Sequence, residues 1–200
     1  MKQQVVVVHG GNTFDSYDDY LEDLKVKEIN WNRLVGLDWK DALEQHLGDG
    51  FEVIRPKMPN AQNAKYLEWR IWFMKVLPFL KDGVLLVGHS LGGIFLAKYL
   101  NEEKIALNVQ GTWLIAPPFQ VGANESLADF TLGDSLERLA AQGGQITFYH
   151  SQDDPVVPFA NLNEYQKRLP NAKVRIFNDR LHFNQPELPE IVEEIREAAR

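Results

Sequence analysis

The segment from Val84 to Leu100 constrains the fold more than any other part of the chain. Its first four residues, Val84 to Val87, form a short apolar run that predicts a strand buried on both faces. Its last seven residues, from Ile94 onward, favour an amphipathic helix. The sequence GHSLG stands between them and matches G-x-S-x-G, with Ser90 at its centre. The chain must therefore turn from a strand into a helix within a few residues.

A turn this sharp strains the backbone at Ser90 and needs small neighbours, which Gly88, Gly92 and Gly93 supply. It leaves the Ser90 hydroxyl at the carboxyl end of the strand. The first N–H groups of the helix and its positive dipole end favour a developing oxyanion there. The pattern thus predicts a nucleophilic serine. The alternative is a glycine-rich turn in which the serine has no chemical role.

Composition argues against several classes of function. The chain has 200 residues, which suits one domain with a sizeable core. Its net charge of −7, without a basic block, gives no reason to expect nucleic acid or an anionic membrane as a partner. The absence of cysteine excludes disulfides, thiolate catalysis and cysteine–zinc sites, and it agrees with a cytoplasmic location. No apolar run has the length of a membrane span, and the N-terminal stretch is too short for a signal peptide.

Predicted strands alternate with predicted helices, which favours a mainly parallel sheet of about six strands with helices on both faces. No linker or repeat interrupts the pattern, so we expect one α/β domain over residues 1–200. The predicted strands are Val5–Val8, Phe51–Ile54, Val84–Val87, Val109–Ile115, Ile146–His150 and Lys173–Phe177. The predicted helices, besides the one after Ser90, are Leu37–Leu47 with Asp38 as its N-cap, Ala61–Leu77, Asp134–Ala141, Phe159–Leu169 and Leu188–Arg200.

Two connections invite a functional interpretation. Residues 12–31 carry several aromatic side chains, which either wall a pocket or form a separate patch of core. Residues 119–144 mix Gly, Asn, Ser and Asp with scattered apolar side chains, and we interpret them as a cover over the site. Because so short a cover can line only a small pocket, we expect a small substrate.

A nucleophilic serine needs a base within hydrogen-bond reach, and His182 is the best candidate among the five histidines. It follows the last predicted strand directly, in an irregular loop. His89 adjoins Ser90 and should point away from it, His46 lies on a predicted helix, and His9 is expected to be structural.

The base in turn needs an acid that fixes its tautomer, and the sequence SQDDPVVP offers one between Ser90 and His182. Asp153 and Asp154 are adjacent in it, so at most one can be directed at His182. The alternative is that both aspartates only form a turn before a proline. Asp179 is a second choice for the acid.

Four motifs together resemble the α/β-hydrolase superfamily: VVVVHGG, VGHSLGG, SQDDPVVP and the late His182-Phe183-Asn184. Within it the chain is similar to the small serine hydrolases typified by retinoblastoma-binding protein nine. They share its length, an M-P-[DN] loop (here Met58-Pro59-Asn60) and a DDP acid loop. The resemblance covers nearly the whole chain and implies a single-domain α/β-hydrolase fold. The longer connection after the first strand and its HGG turn depart from that group.

The resemblance also implies roles for individual residues. Ser90 is the nucleophile, His182 the base, and Asp154 falls on the acid position of D-x-[IV]-V-P. Backbone N–H groups of Leu91 and of either Gly11 or Asn12 form the oxyanion hole. No metal or cofactor is implied.

These observations lead to the expectation of a serine hydrolase that cleaves a small ester or related acyl bond through an acyl-enzyme intermediate. The expected partner is a small acyl substrate. The alternative is a catalytically weak binding protein on the same scaffold, because a fold does not fix a function.

Overall fold

The computed structural model describes residues 2–31, 35–119 and 126–200. Its six strands form one parallel sheet in the order β2-β1-β3-β4-β5-β6, which confirms the predicted parallel α/β architecture. The strands are β1 (Gln3–Val8), β2 (Phe51–Ile54), β3 (Val84–His89), β4 (Val109–Ile115), β5 (Gln145–Ser151) and β6 (Lys173–Phe177).

The register brings the carboxyl ends of the strands together. Val8 pairs with Gly88, and His89 pairs with Ile115, so β1, β3 and β4 end side by side. β5 and β6 end together at Ser151 and Phe177. The loops that leave these ends therefore meet at one edge of the sheet, where open α/β sheets bind ligands.

Helices cover both faces of the sheet, as the sequence predicts. Alternate valines of β1 point into opposite layers, Val6 and Val8 into one and Val5 and Val7 into the other. Helices α3 to α6 pack on the first layer, and α2 and α7 on the second. No helix among the described residues is long and apolar enough to cross a membrane. The helices are α1 (Tyr17–Val26), α2 (Trp39–Leu47), α3 (Tyr66–Val76), α4 (Leu91–Glu102), α5 (Glu137–Gln142), α6 (Ala160–Arg168) and α7 (Pro189–Ala198).

The single helix predicted over Ala61–Leu77 is wrong at its start. A 3₁₀ turn at Ala61–Asn63 is separated from α3 by an extended Ala64. The Ala64 N–H donates to the Asn12 carbonyl, and the Asn12 N–H donates to the Ala61 carbonyl, both at 2.8 Å. These two bonds fasten the segment to the loop after β1, and no local pattern in the sequence reveals them.

Helix α1 argues against the interpretation of residues 12–31 as a separate patch of core. The helix forms as expected, with Ser16 and Asp19 in a capping box, but it buries no side chain. Tyr17 is 65% exposed and lines a surface cavity with Tyr20 and Asn60. None of the residues that line this cavity is a candidate site residue, so the role of these aromatic side chains as a wall of the site stays a prediction.

The predicted cover over residues 119–144 is narrower than expected. Leu127, Phe130 and Leu139 are buried in the core beside α3 and α4. The Asp129 carboxylate accepts the Tyr66 N–H at 3.0 Å and fixes the segment further. A covering role is thus left to residues 119–126, of which 120–125 lie outside the described residues, and it stays a prediction.

Helix α4 approaches β1 so closely that Gly92 cannot carry a side chain. A Cβ at Gly92 would fall on the carbonyl oxygens of Val8 and His9, which are backbone atoms that cannot move aside.

We expect Gly92→Ala to lower the free energy of unfolding by about 1–3 kcal/mol or more, measured by urea denaturation. Gly133→Ala is the matched control, because nothing lies within 4 Å of its added methyl group. Equal stability of the two variants would contradict the close approach.

Candidate active site

Ser90 stands in a strained turn between β3 and α4. Its φ of 56° and ψ of −122° lie in a region that residues other than glycine rarely adopt. Such a conformation costs about 1–3 kcal/mol and persists only where the surroundings impose it. Here the Ser90 N–H donates to the Ile115 carbonyl at 2.8 Å, and the Ser90 carbonyl accepts the Gly93 N–H at 2.8 Å. The side chain is thereby held at the carboxyl edge of the sheet, as the sequence predicts.

The turn after β1 lies directly beside this serine. A Cβ built on Gly10 would lie 3.2 Å from the Ser90 Cβ and 3.6 Å from its Oγ. The neighbouring strands therefore bring the HGG turn next to the nucleophile candidate. His9 is structural, as expected: its ring accepts the Met58 N–H at 3.0 Å through Nε2, and its Nδ1 lies 2.6 Å from the Gly10 carbonyl.

Two backbone amides could stabilise an oxyanion beside Ser90. Leu91 is the first residue of α4, so its N–H has no acceptor within the helix. Within the described part of the chain, the Gly11 N–H has no acceptor either. The structure argues against the third candidate, Asn12, because its N–H already donates to the Ala61 carbonyl. Leu91 and Gly11 thus remain as the pair.

Asp154 and His182 are hydrogen-bonded to each other. His182 Nδ1 lies 2.8 Å from Asp154 Oδ2 and 3.1 Å from Oδ1. The Asp154 carboxylate is fully buried and also accepts the N–H groups of Val156 and Val157, at 2.8 and 3.0 Å. An ionised carboxylate only accepts, so Nδ1 carries the proton and His182 Nε2 is free to act as a base.

Ser90 is not yet hydrogen-bonded to this pair. Among the described residues, no hydrogen bond of 3.5 Å or less joins Ser90 Oγ to His182. The residue before Ser90 does approach the base, because the ring of His89 lies 5.1 Å from the ring of His182. Such bonds are often long in unliganded enzymes and tighten when a substrate binds.

Asp153 holds the backbone of the His182 loop instead of facing the imidazole. Its Oδ1 accepts the Leu181 N–H at 3.0 Å and the Ser151 hydroxyl at 2.5 Å. Leu181 and Phe183, on either side of His182, have φ values of 47° and 53°, so the loop is strained at both positions. The adjacent aspartates therefore have different contacts, a distinction that sequence alone leaves open.

The second choice for the acid, Asp179, and the histidine at the end of β5, His150, make no hydrogen bond to Ser90 or His182 among the contacts of the described residues. Asp179, the second choice for the acid, is 74% exposed at its side chain and pairs with Arg180 at 3.1 Å. His150 is buried beside the acid turn, and burial lowers its pKa. In residues 2–31, 35–119 and 126–200, no group of three or more His, Cys, Asp or Glu could hold a metal ion.

Sequence reasoning missed three side chains that hold the His182 loop. His89 contacts the carbonyl of His182, Lys40 contacts His89, and Trp39 Nε1 donates to the carbonyl of Phe183 at 2.8 Å. Trp39 and Lys40 begin a helix more than a hundred positions away in the chain, so no motif connects them with His182.

Comparisons with known proteins identify a family and a shared fold. A model of the family described as "Serine hydrolase" matches residues 30–187. No curated protein matches the chain in sequence. The structure of the ydeN gene product from B. subtilis has a TM-score of 0.78 to this chain at 18% identity, with 99% of both chains covered.

Two solved esterase structures are also similar. Est1E from Butyrivibrio proteoclasticus has a TM-score of 0.62 at 15% identity, covering 98% of this chain and 86% of its own. Naproxen esterase from Bacillus subtilis has a TM-score of 0.64 at 11% identity, covering 100% of this chain and 84% of its own. At these identities the likeness shows the shared fold.

The contacts of the two aspartates predict unequal effects of substitution. Asp154→Asn replaces an acceptor of the Nδ1–H by an amide that can present a donor, so we expect kcat on an activated ester to fall by about 10⁴. Asp153→Asn keeps an oxygen that can accept the Leu181 N–H, so we expect a loss of about tenfold or less. Parallel kinetics on the two variants measure both effects. Equal losses, or the reverse order, would refute the assignment of the acid.

Proposed function

The chain belongs to the serine hydrolase family, whose model matches residues 30–187 of its 200, and on this premise we propose that it cleaves a small ester or related acyl bond through Ser90, His182 and Asp154. The predicted α/β-hydrolase superfamily is confirmed, while the closer likeness to the retinoblastoma-binding protein nine type stays a prediction. One observation carries the proposal: the buried Asp154–His182 hydrogen bond lies at the same edge of the sheet as the strained Ser90.

The acylation step follows from these positions. Asp154 accepts the Nδ1–H of His182 and leaves Nε2 unprotonated, so Nε2 takes the proton of the Ser90 hydroxyl as Oγ attacks the carbonyl carbon. The N–H groups of Leu91 and Gly11 then hold the negative oxygen of the tetrahedral intermediate. As this intermediate collapses, the leaving group takes the proton from Nε2 and departs, and the acyl group stays on Ser90.

Deacylation repeats the sequence with water. His182 Nε2 removes a proton from a water molecule, which attacks the acyl carbon of the ester on Ser90. The same two amides hold the second oxyanion. The proton returns from Nε2 to Ser90 Oγ as the carboxylic acid leaves. Asp154 stays ionised throughout and stabilises the imidazolium in both halves of the reaction.

A small acyl group is supported by the packing of residues 126–144. Leu127 and Phe130 are buried in the core, so they are not available to line a long acyl tunnel. We further propose a cytoplasmic location, in keeping with the absence of cysteine, and a small acyl molecule as the substrate.

Substitution and labelling of Ser90 test the proposed function directly. We expect a fluorophosphonate probe to label wild-type protein at Ser90, and Ser90→Ala to lose both the label and roughly 10⁴- to 10⁶-fold in kcat. The exposed Ser135 provides the control, since Ser135→Ala should label as wild type does. If Ser90 stays unlabelled in folded protein that hydrolyses no ester, the proposed function fails and the binding-protein alternative is supported.

A series of nitrophenyl esters of increasing acyl length tests the size of the acyl pocket. Each methylene that the pocket buries contributes about 0.8 kcal/mol, so kcat/KM should rise over the first few carbons. It should then level off or fall once the pocket is full. Rates with Ser90→Ala correct for spontaneous hydrolysis. Efficiency that keeps climbing to long chains would mean a deep pocket and would rule out the small-substrate proposal.

A further inference from the structure

The imidazole of His89 connects the end of β3 with the loop that carries His182. It is 3% exposed and lies between α2 and that loop. Its Nε2 is 2.8 Å from the backbone carbonyl oxygen of His182, and its Nδ1 is 3.3 Å from Lys40 Nζ. The ring thus contacts the backbone of the proposed base, although His89 lies on β3 and His182 follows β6.

Lys40 determines which nitrogen of His89 carries the proton. An ammonium group only donates hydrogen bonds, so the Nδ1 that faces Lys40 Nζ must accept. The proton of the neutral ring is then on Nε2, where it donates to the His182 carbonyl. Lys40 is itself held in place, because Nζ pairs with Asp38 at 2.6 Å and lies 4.9 Å from the centre of the Trp39 ring.

The bond from His89 acts where the loop is strained. Leu181 and Phe183 both have positive φ values, and a loop in this state relaxes unless its surroundings hold it. Asp153 holds the Leu181 N–H, and Trp39 holds the Phe183 carbonyl. The carbonyl of His182 lies between these two attachments, and His89 is its donor. The three contacts therefore fix the peptide units around the imidazole.

We propose that His89 is a positioning residue for His182: its Nε2–H, set by Lys40, holds the His182 backbone so that the imidazole meets both Asp154 and Ser90. This role rests on the proposed function. His89 touches neither the reacting serine oxygen nor Asp154 in the contacts above, so its effect is on the orientation of the base. A displacement of about 1 Å at a catalytic group can cost 10²-fold in rate.

Two substitutions of His89 separate positioning from packing. His89→Leu fills the space without a donor, and we expect kcat to fall by about 10- to 100-fold with KM changed less than about threefold. His89→Gln places an amide N–H near the position of Nε2 and should recover kcat to within about threefold of wild type. His46→Leu, on a half-buried histidine of α2 away from the loop, is the control for losing an imidazole. A folded His89→Leu with wild-type kcat, or a folded His89→Gln as slow as His89→Leu, would overturn the proposal.

The tautomer of His89 gives a readout that needs no catalysis and is taken on the wild-type protein, with a variant used only to assign the signal. Two-bond ¹H–¹⁵N spectra of wild-type protein, assigned with His89→Gln, should show the ring proton of His89 on Nε2. An Nδ1–H form or a protonated ring would overturn the role given to Lys40 and the bond to His182. An active wild type with an unaffected His89→Leu would refute this inference alone, whereas a wild type without Ser90-dependent activity would refute the proposed function.

Discussion

The close approach of α4 to β1 is the constraint on which the site depends. Because Gly92 has no side chain, the first turn of α4 packs against the carbonyl groups that end β1. That contact forces the chain to reverse within one residue after β3, and Ser90 takes the positive φ that the reversal demands. The same contact brings the turn after β1 beside Ser90. The position of Ser90 and of the two amides proposed for the oxyanion hole therefore follows from one close contact between α4 and β1.

The imidazole is positioned by a second, independent set of contacts. The acid turn after β5 supplies Asp154 to the ring and Asp153 to the loop backbone, while α2 and the end of β3 hold the other side of the loop. Two positive φ values cost about 1–3 kcal/mol each, and several hydrogen bonds of about 1 kcal/mol offset that cost. The loop is thus rigid because many weak bonds converge on it, which suits a group that must transfer protons in a fixed direction.

Much of the fold could be predicted from sequence because its signals are local. Four-residue apolar runs mark β1 and β3, and Asp38 with Gly48 marks both ends of α2. For the candidate site, chain order alone leads to Ser90, an aspartate in one turn and His182, and the catalytic roles of these residues stay predictions. Contacts between distant segments, in contrast, have no local sequence pattern that predicts them. The two bonds between Asn12 and residues 61–64 split the predicted helix. One of them, from the Asn12 N–H to the Ala61 carbonyl, also argues against Asn12 as an oxyanion donor. Likewise, nothing in the local sequence indicates that α2 reaches the His182 loop.

Burial keeps His150 neutral beside the pair formed by Asp154 and His182. His150 lies under the acid turn, and burial lowers its pKa, so it carries no charge at neutral pH. Its Nε2 faces the Val157 carbonyl, in the same turn whose amides bind Asp154. The buried carboxylate is therefore balanced by two backbone N–H groups and by the imidazole of His182. In the proposed reaction His182 takes a proton, so its positive charge forms next to the Asp154 carboxylate, and His150 as a neutral ring does not compete for that carboxylate.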